Sequence, residues 1–268
     1  MKIETGTEEL LLNIENKVAI ITLNRPSKKN ALSDRLTPAL RQVLLEINDK
    51  PSINSVIITG AGDAFCAGGD VGGMGKPGGS KRLSTAELEK NLMMKQEELT
   101  LRLFNLSMPT IAVISGPAAG AGVCIALACD FRFMASHTFL TTAYRNIALS
   151  GDYGGSWLLS RLVGLSMTKE LFYTARRVGA KEALALGIVD KIFPSGDLLG
   201  NAISFANSIS KGPKKAISRM KQNINSTLEK TLAESMRQEA KNLIQCLSER
   251  DHKEAVQAFL EKREPDFS

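Results

Sequence analysis

VAIITLNRPSKKNALSDRLTPALRQVLLEINDKPSINSVIITG, residues 18 to 60, is the stretch from which the fold can be read. Its two ends, VAIITL at 18 to 23 and SVIITG at 55 to 60, are short β-branched runs closed by turn residues, the pattern of strands. Between them, residues 33 to 49 space their apolar side chains along one face of a helix. Ser33 or Asp34 can cap that helix by accepting from its free N–H groups, and Pro51 marks its end. A strand, a helix and a strand in this order predict a right-handed crossover to a parallel neighbour. The rhythm returns with TIAVISG at 110 to 116, a small-residue helix from Gly120 to Ala128, and DFRFMA at 130 to 135. The expected fold class is therefore α/β.

Outward from this core the text changes. The segment VGGMGKPGGSKRL, residues 71 to 83, is rich in glycine and basic residues and reads as a mobile loop over a site. From Leu198 onward no strand is evident, and 200 to 210, 213 to 225, 228 to 249 and 251 to 262 read as helices. The chain is accordingly divided into a body, 1–197, and a C-terminal helical region, 198–268. Leu228, Leu232, Met236, Leu243 and Leu247 repeat at helical spacing, a stripe expected to pack on the body or on another subunit. The basic run KGPKKAISRMK, Lys211 to Lys221, reads as a solvated helix face.

At 268 residues and 43% hydrophobic, the chain has enough apolar surface for one large core. The net charge of +6 is dispersed among acids, and 5% aromatics leave no stacking platform, so nucleic acid is not an expected partner. The N-terminal MKIETGTEELLLNIEN lacks the basic and long apolar regions of a signal peptide. No apolar run approaches the roughly 20 residues of a membrane-spanning helix. Cys66, Cys124, Cys129 and Cys246 lack zinc spacing and disulfide density. A cytoplasmic protein without membrane or metal partners is expected.

With only His137 and His252, neither in a nucleophile setting, a Ser/His/Asp hydrolase is disfavoured. Gly116, Gly120 and Gly122 lack both the third glycine of a dinucleotide fingerprint and the lysine of a phosphate loop. What remains is two glycine-rich turns, AFCAGGD at 64 to 70 and GPAAGAG at 116 to 122, each following a strand. The second opens a helix, whose free N–H groups favour developing negative charge. The pair is either an oxyanion hole or two tight turns, and the residues alone leave both open.

NRPSKKNAL (24–32), ITGAGDAFCAGGD (58–70), ISGPAAGAGVCIALACDFRFMA (114–135), GDYGGSWLLSRLVG (151–164) and the closing FLEKREPDF (259–267) together resemble the crotonase, or enoyl-CoA hydratase/isomerase, superfamily. The resemblance runs from Leu11 to Phe267. It implies a spiral of repeated ββα units, a C-terminal helical oligomerisation region giving a homotrimer or hexamer, and an acyl-CoA thioester as substrate. Coenzyme A enters as part of that substrate, and no separate cofactor is expected.

By position, the resemblance places the oxyanion-hole N–H groups at Gly69 and Ala121. It places the coenzyme A contacts at Lys29, Ala31, Ala67, Asp70 and Val71, and at Phe259 and Lys262 of a neighbouring subunit. Where hydratases of the family carry two glutamates that activate water, this chain has Cys124 and Tyr144, and neither supplies a carboxylate. These two are read as walls of the acyl pocket. Asp152, in LSGDYGGSWLL, resembles the single acid of family isomerases, although Gly151 stands where their pattern has proline. For Asp152 a helix N-cap is the competing reading. Asp130 reads as structural.

The reading placed first is an isomerase that shifts a double bond of 3-enoyl-CoA to 2-enoyl-CoA, with Asp152 as sole acid/base. The alternatives are enoyl-CoA hydratase, other enolate chemistry (ring isomerase, dehalogenase, decarboxylase) and a non-catalytic CoA-binding homologue.

Overall fold

A computed structural model describes residues 1–70, 72 and 83–267. The expected loop at 71 to 83, Val71 included, lies almost wholly outside the described residues.

Strands β1 (Lys2–Ile3), β2 (Leu10–Glu15) and β3 (Val18–Leu23) form an antiparallel edge. The two-residue turn between β2 and β3, Asn16-Lys17, has positive φ at both positions, the backbone that suits the twist of a tight hairpin. From β3 the sheet becomes parallel, passing through β4 (Ser55–Gly60), β5 (Thr110–Ile114), β7 (Phe131–Ala135) and β10 (Lys191–Phe193). Its central strands β4 and β5 are buried along their whole length, which is why they read as continuous apolar runs. A second, small sheet joins β6 (Ala118–Ala119), β8 (Phe139–Thr141) and β9 (Val178–Gly179).

Helix α1 (Leu36–Asn48) makes the crossover from β3 to β4. Ser33 rather than Asp34 supports its start, its Oγ accepting from the Leu36 N–H at 2.9 Å. Leu36, Leu40, Val43, Leu44 and Ile47 of α1 are buried, a face repeating at three and four residues. Each such leucine contributes roughly 2 kcal/mol through burial. Helix α2 (Thr85–Gln96) begins at a Ser84/Glu87 capping box and continues through a π-helical turn, Glu97–Leu101, into α3 (Arg102–Phe104). Helices α4 (Ala121–Leu127) and α5 (Gly155–Thr174) close two ββα turns, β5-β6-α4 and β7-β8-α5. The spiral expected from the family resemblance is the architecture adopted.

Alternate side chains of the central strands serve two separate cores. Val56, Ile58, Ala112 and Ile114 face α1 and α4, whereas Ile57, Ile111 and Val113 face the other way. That second face is covered by α7 (Ser195–Ser210), which follows α6 (Ala180–Ala185) and β10, and buries Leu198, Ala202 and Ala206 there. The first of the four helices assigned to the C-terminal region thus lies on the sheet of the body.

Helices α8 (Lys214–Ser226), α9 (Leu232–Leu247) and α10 (Arg250–Glu261) follow. The basic run in α8 is more than a solvated face. Lys221 is largely buried and reaches Asp130 at 2.7 Å, and Lys214 donates to the Lys50 carbonyl at 2.8 Å. Asp130 also accepts from the Thr110 N–H and hydroxyl, a structural role as read. The stripe Leu228, Leu232, Met236, Leu243 and Leu247 is exposed along this chain, with Leu228 at the edge of a cavity also lined by Phe104 and Trp157. Among the described residues no helix is long and apolar enough to cross a membrane.

Candidate active site

Because β4 and β5 are parallel neighbours, the glycine turns at their C-terminal ends emerge side by side. Backbone pairing locks them together. Cys66 bridges Ala118, the Ala119 N–H donates to the Cys66 carbonyl at 2.9 Å, and Leu32 bridges Gly69. Gly68, at φ +85°, is the close approach: a Cβ there would lie 2.7 Å from the Ala119 carbonyl oxygen and 3.3 Å from the Ala121 nitrogen. The Gly69 and Ala121 positions are therefore adjacent, and Ala121 is the first residue of α4, where backbone N–H groups lack helical partners.

The NRPSKKNAL segment lies against the first turn. Asn30, fully buried, donates to the carbonyls of Ala61 and Ala64 and accepts from the Arg25 N–H. Arg25 in turn donates to the Ala31 carbonyl at 2.6 Å and pairs with Asp70 and Glu9. The Ala67 N–H donates to the Lys29 carbonyl. Lys29, Ala31, Ala67 and Asp70 thus share one connected ledge. The exposed Lys29 ammonium pairs with Asp63 and holds that carboxyl below its ordinary pKa. Phe259 is 82% exposed on α10, and Lys262 ends that helix in a left-handed conformation.

On the other side of α4 three expected residues meet. Tyr144, in the 3₁₀ turn Tyr144–Ile147, donates its hydroxyl to Asp152 Oδ1 at 2.7 Å. Cys124 Sγ lies 3.2 Å from the same hydroxyl and 3.4 Å from the Gly120 carbonyl oxygen. Asp152 sits in a tight turn whose neighbours Gly151, Tyr153 and Gly154 all have positive φ. Gly151 is at φ +111°, which proline cannot adopt, so the departure from the isomerase pattern is built into this backbone. Helix α5 starts at Gly154 without a side-chain cap, and the Asp152 carboxyl faces Tyr144 instead of the helix N–H groups.

Burial raises the pKa of Asp152, and the Tyr144 hydrogen bond partly opposes this. Burial first, then the proximity of Cys124 and Asp152, pushes the Tyr144 phenol far above its usual range. Burial likewise carries the Cys124 thiol up to about 12, which removes it as a nucleophile at neutral pH.

Three contributors escape a sequence-based search. Gln96, at the end of α2, accepts from the Tyr153 N–H at 2.5 Å, and Phe172 of α5 stacks on Tyr144 with ring centroids 5.9 Å apart. Arg25 is the third. The S-x-x-E pattern at Ser84 was a signal for the helix that carries Gln96, and Arg25 stands within the NRPSKKNAL motif; nothing local marks Phe172. A cavity of about 820 Å³ reaches the Asp152 turn only at Tyr153 and Gly154, and Asp152, Cys124, Gly69 and Ala121 are not among its walls. His137 pairs at the surface with Ser195, 2.9 Å away.

A ββα spiral with two glycine turns paired over a helix N-terminus defines the crotonase class of proteins. The family model for enoyl-CoA hydratase/isomerase matches residues 13–268, and the chain belongs to that family. It is 34% identical over 255 residues to the short-chain-enoyl-CoA hydratase of Clostridium acetobutylicum, covering 95% of each chain. It is 32% identical to the crotonyl-CoA hydratase of Syntrophomonas wolfei, covering 97% of this chain and 98% of that one. The crystal structure of an enoyl-CoA hydratase from Bacillus anthracis superimposes with a TM-score of 0.90 at 31% identity, covering 97% and 99%. These names support crotonase-type chemistry and favour water addition over the double-bond shift placed first from the sequence.

Proposed function

We propose that the protein binds an acyl-CoA thioester and forms its enolate, with the Gly69 and Ala121 N–H groups on the thioester oxygen and Asp152 as the acid/base. The observation that carries this reading is the half-buried Asp152 carboxyl held by Tyr144 beside the first turn of α4. Backbone donors fixed before reaction stabilise the charge that develops on oxygen more than they stabilise the neutral thioester.

One carboxylate suffices for a double-bond shift. Asp152 removes the α-proton of a 3-enoyl thioester; the C–H electron pair enters the dienolate, whose charge rests on the thioester oxygen. The same carboxyl then returns the proton to the γ-carbon, giving the 2-enoyl product. Burial, which favours the protonated carboxyl, helps the intermediate state persist.

Hydration of 2-enoyl-CoA is the second reading, favoured by the names of the relatives. It requires water to be held by Asp152 and Tyr144 in place of two glutamates. Incubation with 3-enoyl-CoA and with 2-enoyl-CoA in deuterated water, followed by NMR, separates them. Migration of the double bond supports the first, a 3-hydroxyacyl product the second, and binding without reaction overturns both.

The ledge of Lys29, Ala31, Ala67 and Asp70 is the proposed seat of coenzyme A, completed by Phe259 and Lys262 of another copy. The exposed apolar residues of α9 and α10 support a homotrimer or hexamer; sedimentation giving a monomer would remove that part. The four free thiols support a cytoplasmic setting.

A further inference from the structure

We infer that Tyr144 is a positioning residue for Asp152: its hydroxyl holds Oδ1 and leaves Oδ2 to exchange the proton with the substrate. The inference rests on the proposed acid/base role of Asp152, and deepens it.

With Asp152 ionised, donation runs one way. The Tyr144 hydroxyl has a single proton, and the acceptor at 2.7 Å is Asp152 Oδ1. Cys124 Sγ lies 3.2 Å from the phenol oxygen and has the Gly120 carbonyl, 3.4 Å away, as an acceptor of its own, so it packs against the phenol without competing with Asp152 for the phenol proton. The phenol ring has little freedom. It is buried, stacks on Phe172 at an interplanar angle of 15°, and its backbone N–H donates to the Thr142 carbonyl at 2.8 Å. From the opposite side Gln96 holds the Tyr153 N–H, so both the carboxyl and the backbone beside it are fixed.

Among the described residues, the titratable groups facing this carboxyl are Cys124 from α4, Tyr144 from the 3₁₀ turn and Tyr153 from its own turn, with Cys66 and Arg41 acting on Tyr153. Tyr144 is a hydrogen-bond donor to Asp152 in this group, and the ionised carboxylate is the form that benefits. A fixed Oδ1 also means that the proton leaves and returns through one oxygen on one face of the substrate.

The test is a ¹³C NMR titration of protein labelled at the aspartate carboxyls, with the Asp152 signal assigned by its loss in Asp152→Asn. In Tyr144→Phe the Asp152 midpoint is expected to rise by about one pH unit, a tenfold loss of preference for the ionised form. A 3-fluorotyrosine at position 144 keeps the shape, is a stronger donor, and is expected to lower the midpoint. It guards against a Phe variant that fails to fold. The acid limb of the kcat/KM profile should move with the midpoint, while KM changes less than kcat. An unmoved midpoint in either folded variant overturns the inference. Failure of the wild type to turn over enoyl-CoA esters would instead sink the acid/base reading, and the titration would still report whether Tyr144 holds the carboxyl.

Discussion

The two halves of the site are held by different means. The paired glycine turns are joined to each other through backbone, by the bridge from Cys66 to Ala118 and the close approach of Gly68 to Ala121, while the Asn30 amide and the Arg25 guanidinium brace the first turn from outside. The Asp152 turn is fixed by side chains from elsewhere, Tyr144 on its carboxyl and Gln96 on its backbone. A backbone cradle can stabilise the same charge in many family members. A carboxyl held by neighbouring side chains can be retuned by one substitution that leaves the cradle untouched.

The largest effect should come from the side-chain half. Asp152→Asn is expected to lower kcat by roughly a thousandfold, within the usual span for a positioned acid/base. Affinity for a non-reacting acyl-CoA, measured calorimetrically, should change little. Equal loss of binding and turnover would break the comparison, because it would make Asp152 part of the cradle.

Gly68→Ala strikes the other half. Its Cβ would meet the Ala119 carbonyl, and its φ of +85° strains any other residue. Displacing one oxyanion donor should cost about a hundredfold in kcat, on the scale known for such donors. The pH midpoint of the acid limb should stay where it is, since Asp152 is untouched. A shifted midpoint would show that the two halves are coupled.

The Asp152 turn should also reveal itself in stability. With its folded pKa raised above the ordinary 3.8, the ionised carboxyl is disfavoured by folding. The native state therefore holds the proton more tightly than the unfolded chain. The associated stability is complete below 3.8 and is lost as pH rises through the folded value. Asp152→Asn should have a Tm at pH 7 equal to or above wild type, the gap closing as pH falls toward 4. A lower Tm at pH 7 would mean that the ionised carboxylate supports the fold.

The smallest effect belongs to the ledge. Lys29→Ala removes an exposed ammonium paired with Asp63 and should raise KM for an acyl-CoA less than about fivefold, as exposed pairs are weak. A larger rise would mean that Lys29 meets phosphate directly.

What could be read from sequence follows the same division. Strands, glycine spacing and the α1 face are local patterns, so β3, α1, β4 and the paired turns were legible. The meeting of Cys124, Tyr144 and Asp152 was readable only as three separate positions, because their contact depends on how α4 and the turn before α5 pack. Cys124 and Tyr144 looked like plain pocket walls, since a thiol and a phenol carry no signal until a carboxyl is seen within reach. Gly151 was legible only as a departure from the proline of the isomerase pattern, and its φ of +111° shows a turn that proline would destroy. Lys214 and Lys221 looked solvated because charge runs usually are, yet both tether α8 to the body.

The placement of α7 has a consequence for synthesis on the ribosome. Val18 and Ile57 belong to an apolar face whose cover, Leu198, Ala202 and Ala206, is made some 140 to 190 residues later, an interval during which the growing chain must shield that face by transient means. Contacts of such long sequence separation form slowly. A nascent chain stopped before Ser195 would present a naked parallel sheet, and its fate in a cell should be set by chaperones rather than by its own stability.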